Sequence, residues 1–176
     1  MRKTILFIAL SLDGYIADAK GGVDWLGGQE AGYAGDYGYS EFLKEIDTVI
    51  MGYTTYHQLT TELAPDNWPY PNYDTFVLTH QPHPDQARIF FKDEAATDLI
   101  QELRQQPGEA IWISGGANVV NQLVEADLID EFHVSIMPTI IGQGVRLFNQ
   151  PTTIPLKLIS TSSDNGVIDC VYRRRN

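Results

Sequence analysis

Ala110-Ile111-Trp112-Ile113-Ser114-Gly115-Gly116-Ala117-Asn118 opens the stretch on which the fold turns, and that stretch runs on to Phe148. Apolar Ala110–Ile113 predicts a buried strand, and Ala117–Glu125 predicts a helix presenting Val120, Leu123 and Val124 on one face. A second apolar run, Glu131–Met137, follows, closed by Pro138 and by Ile141-Gly142-Gln143-Gly144-Val145-Arg146-Leu147-Phe148. A strand that passes through paired glycines into a helix brings a main chain close to a phosphate. The missing Cβ atoms leave room, and the first N–H groups of the helix face the anion. The stretch points to nucleotide binding.

A second junction of this kind lies upstream. Val49-Ile50-Met51-Gly52-Tyr53-Thr54-Thr55-Tyr56 again runs from a strand through glycine into a helix start rich in hydroxyls. Two such junctions on neighbouring parallel strands can hold the two ends of one dinucleotide, because ligands of open α/β sheets lie beyond the carboxyl ends of the strands. The Ser114-Gly115-Gly116-Ala117-Asn118 junction lacks the G-x-G-x-x-G spacing of a Rossmann fingerprint, and no Walker lysine follows it.

Further buried strands are predicted at Ile5–Leu10, Thr48–Met51, Thr75–Leu78 and Ile89–Phe91, and further helices at Glu41–Ile46 and Ala95–Gln105. Strands alternating with helices imply an α/β sheet, mostly parallel, with helices on both faces. The end of the chain changes character: Ile154–Ser163 and Val167–Arg173 flank Asp164-Asn165-Gly166, a hairpin signal, so the sheet is expected to finish in antiparallel strands. Two segments are candidate functional loops. Asp18–Tyr39 holds seven glycines, Trp25 and three tyrosines, and Glu62–Asp74 holds three prolines with Trp68, Tyr70 and Tyr73. Such aromatic loops either cover a pocket or pack on their own aromatics. No repeat or linker divides the 176 residues, which suit a single domain.

The formal net charge is −11. Arg173, Arg174 and Arg175 form a basic tail, so the first 172 residues carry 9 of the 12 basic groups against all 23 acidic ones, a charge of −14. Such a body repels nucleic acid and anionic membranes, and an anionic cofactor must be held by local donors. Cys170 is the lone cysteine, which excludes an internal disulfide and fits a reducing, cytoplasmic setting. The signal-like start Met1-Arg2-Lys3 with its apolar run is short and ends in the turn pair Asp13-Gly14, so it reads as a first strand. His57, His80, His83 and His133 form no metal-ligand pattern, and the G-x-S-x-G elbow of a hydrolase is absent.

Several motifs occur in a telling order: Ile8-Ala9-Leu10-Ser11-Leu12-Asp13-Gly14-Tyr15-Ile16-Ala17, Val23-Asp24-Trp25-Leu26, Met51-Gly52-x-x-Thr55-Tyr56, Val77-Leu78-Thr79, Ile113-Ser114-Gly115-Gly116-Ala117, Leu128-Ile129-Asp130-Glu131 and Pro138-x-x-x-Gly142-x-Gly144. From about residue 3 to 172 the chain resembles the reductase domain of the riboflavin-biosynthesis deaminase–reductase, within the dihydrofolate-reductase-like superfamily. The resemblance implies a three-layer α/β/α fold that binds NADPH, usually as a homodimer. It implies that Ala9 lines the nicotinamide, with Trp25 in the loop over it. Gly52, Thr54 and Thr55 meet the phosphates and the adenosine side, Thr79 the adenosine end. Gly115, Gly116, Ala117, Asn118 and Val119 cradle the pyrophosphate. Ser114 falls where the riboflavin enzyme uses a substrate-contacting glutamate, which argues against the riboflavin substrate.

The chain also departs from that pattern. Tyr53 stands where the family commonly has an arginine for the adenosine phosphate, and His80 where a basic residue is frequent. A guanidinium–phosphate pair contributes about 1.5–3 kcal/mol, so its loss erodes the preference for NADPH over NADH. The proton donor of folate reductases maps onto Asp36, with Glu41 next; either also serves as a helix-start carboxylate. Asp13 is a substrate-side candidate and equally a turn residue. The expected reaction is hydride transfer from NADPH to a small heterocyclic or sugar-imine-like substrate. The alternative is a non-catalytic nucleotide-binding or regulatory module on the same fold.

Overall fold

A computed structural model describes residues 1–175 of the chain. In chain order its elements are β1 (Thr4–Ser11), β2 (Tyr15–Asp18), α1 (Tyr39–Phe42), β3 (Ile46–Gly52), α2 (Tyr53–Gln58), β4 (Asp74–Leu78), β5 (Ile89–Lys92), α3 (Ala96–Gln105), β6 (Ala110–Gly115), α4 (Ala117–Glu125), β7 (Glu131–Met137), β8 (Gly144–Arg146), β9 (Leu156–Asp164) and β10 (Val167–Arg174). Eight strands form one sheet in the order β5-β4-β3-β6-β1-β7-β10-β9. Pairing is parallel from β5 to β7 and antiparallel from β7 through β10 to β9. The two short strands β2 and β8 pair with each other apart from the main sheet.

Alternation along the strands explains the layering. Successive side chains point to opposite faces of a sheet. Leu6, Ile50, Ile111 and Ile113 therefore join Leu99, Ile100 and Leu103 of α3 and Val120, Leu123 and Val124 of α4 in one core. Their sequence neighbours Ile5, Val49, Met51 and Trp112 enter a second core on the other face, with Phe42 and Tyr70. Strands buried on both sides read as continuous apolar runs, as the parallel half of this sheet does.

The loop from Glu62 to Asp74 is explained by that second core. Tyr70 is only 6% exposed and sits edge-on against Trp112, ring centroids 5.3 Å apart. Tyr73 donates its hydroxyl to the carbonyl of Leu43 at 3.0 Å. The loop packs its aromatic side chains on the body of the protein.

One expectation shifts and one holds. The helix predicted over Glu41–Ile46 divides: α1 ends at Phe42, a 3-10 turn spans Leu43–Glu45, and Ile46 already begins β3, pairing with Ala110. Ile46 is 5% exposed, and burying its β-branched side chain in the sheet core outweighs one more helical turn. The hairpin follows its turn signal: Asn165 (φ 49°) and Gly166 (φ 77°) both take the left-handed conformation that a two-residue turn needs between twisted strands.

Candidate functional site

Gly52 ends β3 and precedes α2; Gly115 ends β6 and Gly116 precedes α4. Met51 pairs with Gly115 across the sheet, so the two junctions lie side by side at the carboxyl ends of parallel strands. Measured from an ideal Cβ, Gly52 lies 3.9 Å from the Gly116 nitrogen and 3.5 Å from Val119 Cγ2, while Gly116 lies 3.7 Å from Thr55 Oγ1. These are ordinary contacts, so the protein itself does not require glycine at either place; a side chain would instead fill the open space in front. Gly115 differs, because its φ of +132° is a conformation that side-chain-bearing residues avoid. The Gly115–Gly116 peptide is cis.

Neither α2 nor α4 has a side-chain cap, and neither carries an acidic residue in its first turn. The first N–H groups of a helix have no partner within it, so these donors face whatever enters the cleft. By contrast α1 and α3 carry Glu41 and Asp98 in their first turns. Two adjacent helix starts stripped of carboxylates, in a chain of 23 acidic residues, leave main-chain donors that could receive an anion.

The junctions floor a cleft of about 1040 Å³. To one side lie Ala9 and Ile8 of β1, Ile16 and Ala17 of β2, and Val145 of β8, an apolar wall completed by Val23 and Leu26 of the long loop. Ser114 lines the floor beside them. To the other side lie Tyr53, Thr54, Leu78, Thr79, His80, Gln81 and Glu94. The cleft thus brings together Ala9, Gly52, Tyr53, Thr54, Thr55, Thr79, His80, Ser114, Gly115, Gly116, Ala117, Asn118 and Val119. The glycine cradle and the open helix starts fit a dinucleotide diphosphate, and the apolar wall fits a flat nicotinamide ring.

Four candidates lie elsewhere. Trp25 is half-buried beside the cleft, its Nε1 donating to the Gly22 carbonyl at 3.2 Å, and its neighbours Val23 and Leu26 reach the wall instead. The Asp13 carboxylate accepts from Ser11 Oγ at 2.7 Å and from the Ile141 and Gly142 amides at 3.2 and 2.8 Å. It clamps the turn between β1 and β2 to the loop before β8. Asp36 is exposed and accepts from the Gly38 and Ser40 amides at 3.1 and 2.9 Å. Hydrogen bonds from Ser40 hold its carboxyl below the usual range, which favours the ion over the acid. Glu41 lines a separate cavity of about 440 Å³ under the outer strands, with Phe7, Glu45, His133, Ser135 and Asp169.

Sequence reading missed Ile16, Gln58, Glu94 and Val145 on the cleft. Val145 arrives only through the β2–β8 pairing, which joins segments more than a hundred residues apart and leaves no local signature. Gln58 fixes the loop rim, its Nε2 donating to the Gly21 carbonyl at 2.8 Å; its place on the helix after Gly52 was the available signal. No helix among the described residues is long and apolar enough to cross a membrane.

The family model described as RibD C-terminal domain matches residues 2–168. The uncharacterized protein YwjB of Bacillus subtilis (strain 168) is 39% identical over 175 residues, covering 98% of each chain. A solved structure from Shewanella sp. PV-4, assigned to riboflavin biosynthesis, matches with a TM-score of 0.86 at 28% identity over 99% of each chain. Dihydrofolate reductase from Enterococcus faecalis, solved with NADP(H), matches with a TM-score of 0.69 over 99% of this chain and 97% of its own. At 14% identity that last likeness is one of fold, and the fold is dihydrofolate-reductase-like.

Proposed function

The chain belongs to the RibD C-terminal domain family, and from that premise we propose that it is a reductase. It would transfer hydride from a reduced nicotinamide dinucleotide to a small heterocyclic or sugar-imine-like acceptor. The observation that carries this reading is the pair of adjacent helix starts, uncapped and free of acid, on either side of the Gly115–Gly116 doublet.

The bound dinucleotide supplies the hydride; the protein supplies geometry. Main-chain amides at the start of α4 and the Thr55 hydroxyl hold the diphosphate, and the glycines let it approach. Ala9, Ile16, Ala17 and Val145 form a dry wall that keeps a ring flat and water away. Ser114 Oγ has no hydrogen-bond partner among the described residues and borders the apolar end, where it can donate to a carbonyl or imine acceptor. The proton comes from solvent at the loop rim, since neither Asp36 nor Glu41 borders the cleft.

Fluorescence titration with NADPH and with NADH tests the reading: saturation by at least one is expected, and none up to millimolar levels rejects it. The absence of a carboxylate at the apolar end favours one second reading, a nucleotide-binding module without turnover. Stoichiometric binding with no loss of reduced-nicotinamide absorbance, across pterins, ribosylaminopyrimidines and simple imines, would select that reading. We also propose a homodimer, because β9 is an open edge on which Leu158 and Ile159 are exposed. Sedimentation across the micromolar range is expected to show twice 19.7 kDa, and a monomer throughout would remove the dimer.

A further inference from the structure

Among the described residues, no lysine or arginine lines the cleft. At the end formed by β4 and the start of α3, the one lining side chain that can become cationic is His80, while His83 stacks on Tyr53 with ring centroids 4.8 Å apart and is not part of the wall. It is 92% exposed, and its Nδ1 lies 2.7 Å from Asp93 Oδ1, so any charge it gains is already paired. Glu94 is half-buried on the same wall, and its carboxylate meets no cation and accepts no hydrogen bond among the described residues. Lys92 is close in sequence, yet its side chain is not part of the wall.

An unpaired carboxylate accepts hydrogen bonds from the vicinal hydroxyls of a ribose and repels a phosphate on the same sugar. A phosphomonoester would add nearly two negative charges to a wall that offers none of opposite sign. We propose that the cleft selects the dinucleotide without a 2′-phosphate, the NADH type, and that Glu94 is the selecting residue. This inference rests on the reading that a nicotinamide dinucleotide occupies the cleft.

Calorimetric titration with NAD⁺ and NADP⁺ tests it without turnover. NAD⁺ is expected to bind about tenfold or more tightly, with the gap narrowing as ionic strength rises. Glu94→Gln should close most of the gap, and Glu94→Lys should reverse it. Glu94 precedes α3 outside the core, so both variants should keep the parent melting temperature. Equal or tighter binding of NADP⁺ overturns the inference while leaving the reductase reading intact. So does a gap that neither Glu94 variant changes, or a selective loss of NADP⁺ affinity in Lys92→Ala. Saturation by neither dinucleotide overturns both.

Discussion

The glycine-floored cleft and the outer cavity lie at one sheet, yet they differ in charge. Glu41, Glu45, Asp164 and Asp169 line the outer cavity, whereas Glu94 is the one carboxylate on the larger cleft. In a chain of net charge −11 the inner cleft is where carboxylates are kept out. On the proposed reading an acidic protein receives an anion there with main-chain donors and the removal of competing charge, since no lysine or arginine lines the cleft among the described residues.

The sharpest way to break this comparison is to fill the cradle. Gly116 has an extended conformation (φ −78°, ψ −166°) and an open front, so Gly116→Val should fold. Its branched side chain would occupy the space before the α4 amides, and dinucleotide affinity should fall about a hundredfold in a titration. Glu41→Val in the outer cavity should leave that affinity unchanged.

Glu131 tests the outer half by itself. It is buried, which opposes ionisation, but hydrogen bonds from Lys3, His133 and Arg173 outweigh burial and hold its carboxyl down at about 2. The folded value lies below the ordinary 4.5, so the carboxylate stabilises the fold above that range and the contribution fades as pH falls toward 2. Glu131→Gln should cost about 2 kcal/mol in urea unfolding at neutral pH. The variant and the parent should converge near pH 2, with dinucleotide affinity untouched.

A smaller effect sharpens the contrast by moving one charge. Asn118→Asp is isosteric and places a carboxylate in the first turn of α4. The helix should gain about 0.5 kcal/mol in thermal unfolding while dinucleotide affinity falls about tenfold. A gain in both would contradict the assignment of the diphosphate to those amides. The smallest effect is expected from Asp36→Asn and Glu41→Gln, neither on the cleft: dinucleotide affinity and any dihydrofolate turnover should stay within about twofold. A collapse of turnover would restore one of them as proton donor.

Local chemistry made much of this legible. Both strand–glycine–helix junctions, the parallel α/β arrangement and the Asn165-Gly166 hairpin could be read because each depends on residues adjacent in sequence. The partition of α1 could not, because Ile46 joins β3 through contacts with Ala110 and the second core. Nor could the apolar wall: β2 meets β8 through pairing between distant segments, which the Asp13 carboxylate reinforces by accepting from the Ile141 and Gly142 amides. Trp25 carried the visible signal of its loop, yet the loop's course turns Val23 and Leu26 onto the cleft. Glu94 left no local signal, since the wall it shares with Tyr53 and Thr79 is assembled from separate segments of the chain.

A crystal structure of the complex with NADH tests the central claim most directly. The diphosphate oxygens should lie about 3 Å from main-chain nitrogens between Gly116 and Asn118, with the nicotinamide against Ala9. A dinucleotide seated in the outer cavity, or one in the cleft with those amides unengaged, would contradict the account.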